Sequence, residues 1–188
     1  TSRVIRPGKT IELIEAEMQA GGKTCIVARA WRMLKADSSK VAGIEDQSVT
    51  HPESLPVWDG MKRWPGGYIE SIEARTDENH RAGKGTVWLK NELDMVNDKS
   101  TTDFVRLLGM VDTANGIVPR QEGNFEWGFP NLDLQLHLYR IPQGKWLGIE
   151  AVQQYGEDGI GLTSAVLHDT QGPFGRSEQI LTLRKMKA

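Results

Sequence analysis

Hydrophobic and polar positions alternate along most of the chain, but one segment instead repeats at helical spacing. In that segment four apolar residues recur three and four positions apart: Phe104, Leu107, Leu108 and Val111. The spacing predicts one helix over residues 100–115, beginning at a capping motif at Ser100–Asp103 and ending at Asn115-Gly116. Asp112 follows Leu108 by one turn, so it is predicted on or beside the apolar stripe, where a carboxylate needs partners.

The alternating segments around this helix predict β-strands. They comprise residues 8–18, 23–36, 68–75, 86–93, 130–140, 145–155, 160–169 and 176–185. Gly21-Gly22 predicts a hairpin turn, and the short separators among the last four strands favour antiparallel neighbours. Within residues 131–138, four leucines alternate with polar residues and predict one apolar and one polar face. One helix with an apolar stripe must be covered, which predicts an α+β fold with an antiparallel sheet around it.

Composition narrows the class of protein. The chain has 188 residues, 38% hydrophobic and 26% charged, which is typical of a globular rather than a disordered protein. Its net charge of −2 gives no basic field for nucleic acid, so no nucleic-acid partner is expected. There is neither an apolar run long enough to span a membrane nor a secretory signal pattern. A single cysteine, Cys25, cannot form an internal disulfide, and these features together predict a cytoplasmic location.

The sequence lacks the usual marks of several enzyme classes. No Gly-x-Ser-x-Gly motif is present, so a serine hydrolase is unsupported. His51, His80 and His168 have no ligand spacing with another histidine, cysteine or acid, so neither a metal nor a cofactor is expected. The glycines at 83–85 and 21–22 lack the spacing of a phosphate loop, and the six tryptophans are interpreted as packing residues.

Several motifs in the second part of the chain resemble one family. They are Phe129–Pro142 (FPNLDLQLHLYRIP), Gly144–Leu147, Gly159–Gly161, Leu167–Asp169, Gln179–Leu183, Ile72–Arg75, Thr86–Trp88 and Asp112–Gly116. Together they are similar to the C-terminal half of the TesB-like acyl-CoA thioesterases. Residues 6–34 resemble the closing strands of that family's N-terminal half. The resemblance implies a double hotdog fold, in which each unit is an antiparallel sheet wrapped around a helix.

The resemblance also implies a division of the chain. Residues 1–47 would be a partial N-terminal hotdog, 48–66 a linker rich in Asp, Ser, Pro and Gly, and 67–188 a complete C-terminal hotdog. The opening strand and central helix of the first hotdog would be missing, and Thr1 would not be the native start. Because hotdog units pair their sheets, the resemblance further implies a homo-oligomer, expected to be a dimer.

The family's reactive residues map onto this sequence through the same motifs. The resemblance implies that Asp112 on the helix and Gln179 near the last strand are catalytic. The third position falls on Asn131, where the family carries threonine or a similar polar residue, and asparagine offers an amide but no hydroxyl. Asp133, one strand repeat from Asn131, is a candidate supporting residue; the residues that bind the substrate are not predicted.

Two functions therefore compete at the level of sequence. The first is an acyl-CoA thioesterase that hydrolyses the thioester through a water activated at Asp112 and held by Asn131 and Gln179. The second is a non-catalytic module that binds acyl-CoA or assembles with a partner while keeping a hotdog fold. Each of the three side chains also has a structural interpretation: a surface carboxylate, a turn residue after Pro130 and an amide on a sheet surface. A hotdog dehydratase needs a histidine on the helix, and residues 100–116 contain none.

Overall fold

The computed structural model describes residues 1–187 and has the predicted α+β composition. It divides into two compact units, Thr1–Ile44 and the chain from Glu45 onward. The interpretation of residues 1–47 as the closing strands of a hotdog unit stays a prediction.

The first unit is a three-stranded antiparallel sheet in the order β1-β2-β3. Its strands are β1 (Ser2–Arg6), β2 (Ile11–Ala20) and β3 (Lys23–Met33), and a 3-10 turn follows at Ser39–Val41. Gly21 and Gly22 have φ of 55° and 75°, a conformation that other residues rarely adopt, so they form the β2–β3 turn. The predicted hairpin around these glycines is confirmed.

The second unit is built on a six-stranded antiparallel sheet in the order β4-β5-β8-β9-β10-β7. Its strands are β4 (Ile72–Thr76), β5 (Lys84–Asn91), β7 (Gln135–Leu138), β8 (Trp146–Tyr155), β9 (Ile160–Asp169) and β10 (Gly172–Thr182). Two short strands, β6 (Trp127–Gly128) and β11 (Arg184–Lys185), pair with each other. Alternate residues along β4, β5, β8 and β9 are buried, as expected where one face of a sheet packs against a helix.

The central helix is interrupted where the sequence predicts one continuous element. It consists of α2 (Asp103–Met110), a 3-10 turn (Val111–Thr113) and α3 (Ala114–Ile117). The Thr113 hydroxyl donates to the Met110 carbonyl at 2.7 Å, a local bond that competes with regular helical pairing. The segment remains buried along one side, where Leu107, Val111 and Ile117 are inaccessible to solvent. The prediction of a buried helix is confirmed, but the prediction that this helix is continuous is wrong.

Both predicted ends of the helix also shift. The cap is Thr102, whose Oγ1 accepts from the Val105 N–H at 3.4 Å. The Thr101 hydroxyl is not available for this role, because its Oγ1 accepts from the Met95 N–H and fixes the preceding loop. At the other end Gly116 lies inside α3 rather than terminating it. A Cβ on Gly116 would come within 3.2 Å of the Trp64 indole nitrogen, so this glycine allows a close approach of the indole ring.

Two predicted strands are shorter than their patterns indicate. Tyr68 lies in the short helix α1 (Gly67–Glu70), and the strand begins only at Ile72. In the segment 130–140, Leu132 is 70% exposed because regular pairing is interrupted there. The Asp133 carboxylate accepts from the Ile180 N–H at 3.0 Å and so takes the place of a backbone carbonyl in the ladder.

Residues 48–66, predicted as a linker, lie within the second unit and pack onto its sheet. They contain 3-10 turns at Pro52–Ser54 and Asp59–Arg63. The Trp58 N–H donates to the Ala74 carbonyl at 2.8 Å, and Met61 is part of the hydrophobic core. Non-local contacts of this kind leave no periodic pattern in the sequence, which is why composition alone favoured a loop.

Candidate active site

The carboxylate of Asp112 lies in the 3-10 turn that interrupts the central helix. Its neighbour Val111 points into the core, whereas Asp112 itself is exposed and lines a cavity. The turn therefore holds a charged side chain beside a buried one without taking the carboxylate out of contact with water. The sequence predicted this position beside the apolar stripe, although it predicted a regular helix there.

Asn131 reaches the carboxylate from the segment that precedes β7. Two backbone bonds fix this segment against β10: the Leu132 N–H donates to the Ile180 carbonyl and the Thr182 N–H to the Pro130 carbonyl, each at 3.0 Å. The Asn131 side chain then donates from Nδ2 to Asp112 Oδ1 at 2.9 Å and to the Asp133 carbonyl at 3.3 Å. Both amide hydrogens of Asn131 are thus engaged.

Gln179 approaches the same oxygen from β10. Its side chain is 0% exposed, and its Nε2 donates to Asp112 Oδ1 at 2.9 Å and to the Asp112 backbone carbonyl at 3.3 Å. The other end of the amide, Oε1, is buried without a hydrogen-bond partner among residues 1–187. A buried acceptor of this kind needs a hydrogen donor from outside the protein side chains.

The structure therefore brings together the three side chains that the resemblance selects. Both amides bind the same carboxylate oxygen, Oδ1, and no hydrogen bond within the described chain engages Asp112 Oδ2. Three polar groups from three elements that are distant in sequence form one connected network. Oδ2 of Asp112 and Oε1 of Gln179 are its two free acceptors.

Asp133 supports this network without contacting Asp112. Its Oδ1 accepts from the Ile180 N–H at 3.0 Å and its Oδ2 from Gln135 Nε2 at 3.1 Å. These bonds, the backbone one first, lower the pKa of Asp133 below its ordinary value. Because Ile180 follows Gln179, the Asp133 bond ties the segment carrying Asn131 to the strand carrying Gln179.

A cavity of about 500 Å³ opens beside Asp112. Its polar side is formed by Asp112, Thr113 and Asn115, and the rest of its wall is mostly apolar and aromatic. The principal apolar lining residues are Met61, Trp64, Tyr68, Phe125, Phe129 and Met186. A volume of this size falls in the range of small-molecule sites, roughly 300–1,000 Å³.

Sequence reasoning missed this cavity, because its wall comes from residues interpreted as linker and as packing aromatics. The available signal was the concentration of aromatic residues at 58–68 and 125–129, which flank the helix in sequence. Two aromatics contact helix carbonyls directly: Trp64 Nε1 donates to Gly116 at 3.0 Å and the Tyr68 hydroxyl to Gly109 at 3.1 Å. Burial raises the pKa of Tyr68 above its ordinary value.

The histidines do not form a metal centre. Within residues 1–187 there is no group of three or more His, Cys, Asp or Glu side chains placed to hold a metal ion. His80 bonds the Ile117 carbonyl at 2.7 Å, and His51 accepts from the Glu53 N–H. Cys25 is exposed in the first unit. The site is thus a carboxylate that is bound by two amides and that itself lines an apolar cavity.

Comparison with known protein families identifies the family of this chain. Residues 52–183 match the family model of the acyl-CoA thioesterase C-terminal domain. The chain belongs to this family. Membership makes the chain a thioester hydrolase, and the match covers the central helix and the six-stranded sheet. A search among curated proteins found no match.

Solved structures show that this family member has the hotdog fold. A hot dog fold protein from Alicyclobacillus acidocaldarius superposes with a TM-score of 0.74 at 13% identity, covering 99% of this chain and 72% of that one. The acyl-CoA thioesterase II TesB2 of Mycobacterium marinum gives 0.69 at 16% identity, covering 100% and 73%. The tesB protein of Mycobacterium avium subsp. paratuberculosis gives 0.59 at 14% identity, covering 97% and 70%. Among the described residues, no helix is both long and apolar enough to cross a membrane.

Proposed function

We propose that this thioesterase hydrolyses acyl-CoA esters with a water molecule activated by Asp112 and oriented with the help of Asn131 and Gln179. The observation that carries the proposal is the shared oxygen: both amides donate to Asp112 Oδ1 at 2.9 Å. The two amides hold the carboxylate through Oδ1, and Oδ2, which no hydrogen bond of the described chain engages, acts as the proton acceptor.

The reaction balances with the groups present. Asp112 Oδ2 takes one proton from water while the water oxygen attacks the thioester carbonyl carbon and forms a C–O bond. When the tetrahedral intermediate collapses, the C–S bond breaks, and the sulfur leaves as a thiol with the proton that Asp112 held. The products are a free acid and coenzyme A, and Asp112 returns to its carboxylate form.

The two amides have an orienting role in this scheme. All four of their N–H hydrogens are engaged: those of Asn131 by Asp112 and Asp133, those of Gln179 by Asp112 alone. They are therefore not free to stabilise the oxyanion without breaking the network. In this proposal Gln179 Oε1, which has no partner in the described chain, accepts a hydrogen bond from the attacking water.

The asparagine at position 131 is compatible with this scheme. A threonine at this position would offer one hydroxyl hydrogen, whereas Asn131 supplies the bond to Asp112 through an amide N–H at 2.9 Å. The second amide hydrogen reaches the Asp133 carbonyl at 3.3 Å and restrains the side chain. The replacement therefore preserves contact with the carboxylate.

The direct test is thiol release from a panel of acyl-CoA esters of different length, detected with a thiol reagent. Asp112→Ala is expected to lower kcat by at least about 100-fold, the lower end of what a general base contributes. The matched control is Asp158→Ala, an exposed acid in the turn between β8 and β9, which is expected to leave the rate unchanged. Equal activity of wild type and Asp112→Ala would remove Asp112 from the mechanism.

The competing function is an acyl-CoA-binding module without turnover. The absence of a hydroxyl at position 131 is the observation in its favour. Tight binding of an acyl-CoA with no thiol release by any ester in the panel would select this function over hydrolysis.

The proposal includes an acyl-CoA substrate, a cytoplasmic location and assembly as a dimer. The dimer is expected because hotdog units pair their sheets. Light scattering of the purified protein at several concentrations tests it, and a monomer mass throughout would contradict it.

A further inference from the structure

The cavity beside Asp112 carries a cluster of aromatic rings that the hydrolytic chemistry itself does not use. Trp64, Phe125 and Phe129 form a triangle with ring centroids 5.8, 5.9 and 5.7 Å apart. Two of the three pairs are edge-to-face, with interplanar angles of 80° and 67°. Because the same three rings line the cavity, its wall presents aromatic edges and faces alongside the aliphatic Met61, Ile69 and Met186.

The aromatic wall is held in place from behind. The Trp64 indole donates to the Gly116 carbonyl at 3.0 Å, and Phe129 is 7% exposed and packs in turn near Tyr155, at 6.1 Å between centroids. The Arg63 guanidinium lies over the Phe125 ring, 4.9 Å from its centroid. The rings therefore form a wall with a fixed shape instead of a flexible lining.

The cavity beside the aromatic wall has a volume of about 500 Å³, with Asp112 at its polar side. Among its lining glycines, Gly116 allows the close approach of the Trp64 ring, which lies within 3.2 Å of a Cβ placed there. Such a cavity suits a flat, rigid group better than an extended alkyl chain, which would lose rotational freedom on binding.

We propose that the cavity selects acyl groups that carry an aromatic ring over straight saturated acyl groups of the same carbon number. This inference deepens the proposed function and rests on it, because it assumes that the acyl group enters the cavity next to Asp112. An aryl ring in the cavity completes edge-to-face contacts with Phe125 and Phe129, which an alkyl chain cannot make.

The test compares phenylacetyl-CoA with octanoyl-CoA, whose acyl groups have the same number of carbon atoms. We expect kcat/KM for the aryl ester to exceed that for the alkyl ester by about tenfold, the value of one or two aromatic pairs. Phe125→Leu is expected to bring the ratio close to one, and Phe129→Leu provides the same test at the more buried ring. Tyr139→Leu, an exposed aromatic outside the cavity, is the matched control and should keep the ratio.

Failure of the inference can be told apart from failure of the proposed function. Turnover of both esters with equal or higher kcat/KM for octanoyl-CoA would overturn the aromatic preference while leaving hydrolysis intact. If neither ester is hydrolysed, calorimetry with the non-hydrolysable thioether analogues of the same two compounds decides. A Kd about tenfold lower for the aryl analogue would then support the preference, and equal Kd values would overturn it.

Discussion

The two sheets of this chain share a sequence pattern but differ in what covers them. In the first unit, strand pairing places Val4, Ile14, Met18 and Ile26 on one mostly apolar face together with several alanines and the Glu12–Arg32 pair. The other face is mixed and carries Glu15 and Arg29 beside Leu13, Trp31 and Val27. In the second unit the apolar face packs on the interrupted helix and is almost inaccessible. The alternation along a strand thus decides which face is apolar, and a helix decides whether that face becomes a core.

The difference also explains where the chemistry lies. The helix that buries the second sheet supplies Asp112, and the sheet supplies Gln179 and the segment with Asn131. No residue of the first unit belongs to the described network or cavity. Matched substitutions in the two units therefore test whether burial against the helix sets the stability of each sheet.

The largest expected effect comes from removing a side chain between helix and sheet. Leu107→Ala should lower the free energy of unfolding by about 4 kcal/mol, because Leu107 is 0% exposed and its loss leaves a cavity. Ile26→Ala, on the apolar face of the first sheet, should cost less than about 1 kcal/mol, since Ile26 is 54% exposed. Urea denaturation of both variants measures the difference. A cost for Ile26→Ala as large as that for Leu107→Ala would show that the first sheet is covered in solution.

A second comparison concerns ion pairs. Arg140 binds both oxygens of Asp169 at 2.6 Å, and the Asp169 side chain is 0% exposed. Burial opposes the charged form of Asp169, but the bonds from Arg140 and from the Gln143 N–H outweigh it and lower its pKa. Arg140→Ala should therefore cost about 3 kcal/mol, because it leaves a buried carboxylate without its main partner.

The counterpart of this pair in the first unit is Arg29 with Glu15. Arg29 is 64% exposed, so Arg29→Ala should cost no more than about 1 kcal/mol in the same denaturation experiment. Equal costs for Arg29→Ala and Arg140→Ala would contradict the claim that the Arg140–Asp169 pair is the more deeply buried of the two.

A smaller effect is expected from pH. His168 is buried, and both of its ring nitrogens lack a hydrogen-bond partner within the described chain. Burial lowers the pKa of His168 below 6.5, and the positive charge of Arg140 acts in the same direction. Glu150 and Asp46 raise this pKa, but by less than burial lowers it. The unfolded chain then binds a proton at higher pH than the folded chain does. The stability contributed by neutral His168 is complete above pH 6.5 and is lost as pH falls below that value.

The test is the unfolding free energy at pH 7.5 and pH 5.5. The free energy of unfolding should decline between these two pH values, and His168→Phe should reduce this decline by at most about 1.4 kcal/mol per pH unit. His137→Gln, at an exposed histidine, should not reduce it. The first unit contains no histidine, and its partnered Glu15 has a pKa lowered by Arg3 and Arg29, so it adds no slope in this range. An identical pH dependence for wild type and His168→Phe would contradict the assignment.

Local patterns predicted the parts of the fold that depend on neighbouring residues. Gly21-Gly22 fixed a turn, and the spacing from Phe104 to Val111 identified the buried helix. Patterns could not predict features set by distant partners. The ladder break at Leu132 depends on Asp133 reaching Ile180, and the packing of residues 48–66 depends on β4.

The candidate site shows the same division. Asp112, Asn131 and Gln179 were identified through a family resemblance, and the structure shows what no spacing could have shown, that both amides meet on one oxygen of the carboxylate. The cavity went unpredicted because Trp64 and Phe125 are separated by the whole central helix in sequence and meet only in the fold.

We propose that Asp112 and its amide partners Asn131 and Gln179 act as one unit on one water, and a double-mutant cycle of Asp112 with Gln179 measures whether they are coupled. Asp112→Asn and Gln179→Leu should each lower kcat/KM by about 100-fold, and the double variant should be no worse than Asp112→Asn alone. Losses that multiply to about 10,000-fold would contradict the claim, because they would show that the two side chains contribute independently to hydrolysis.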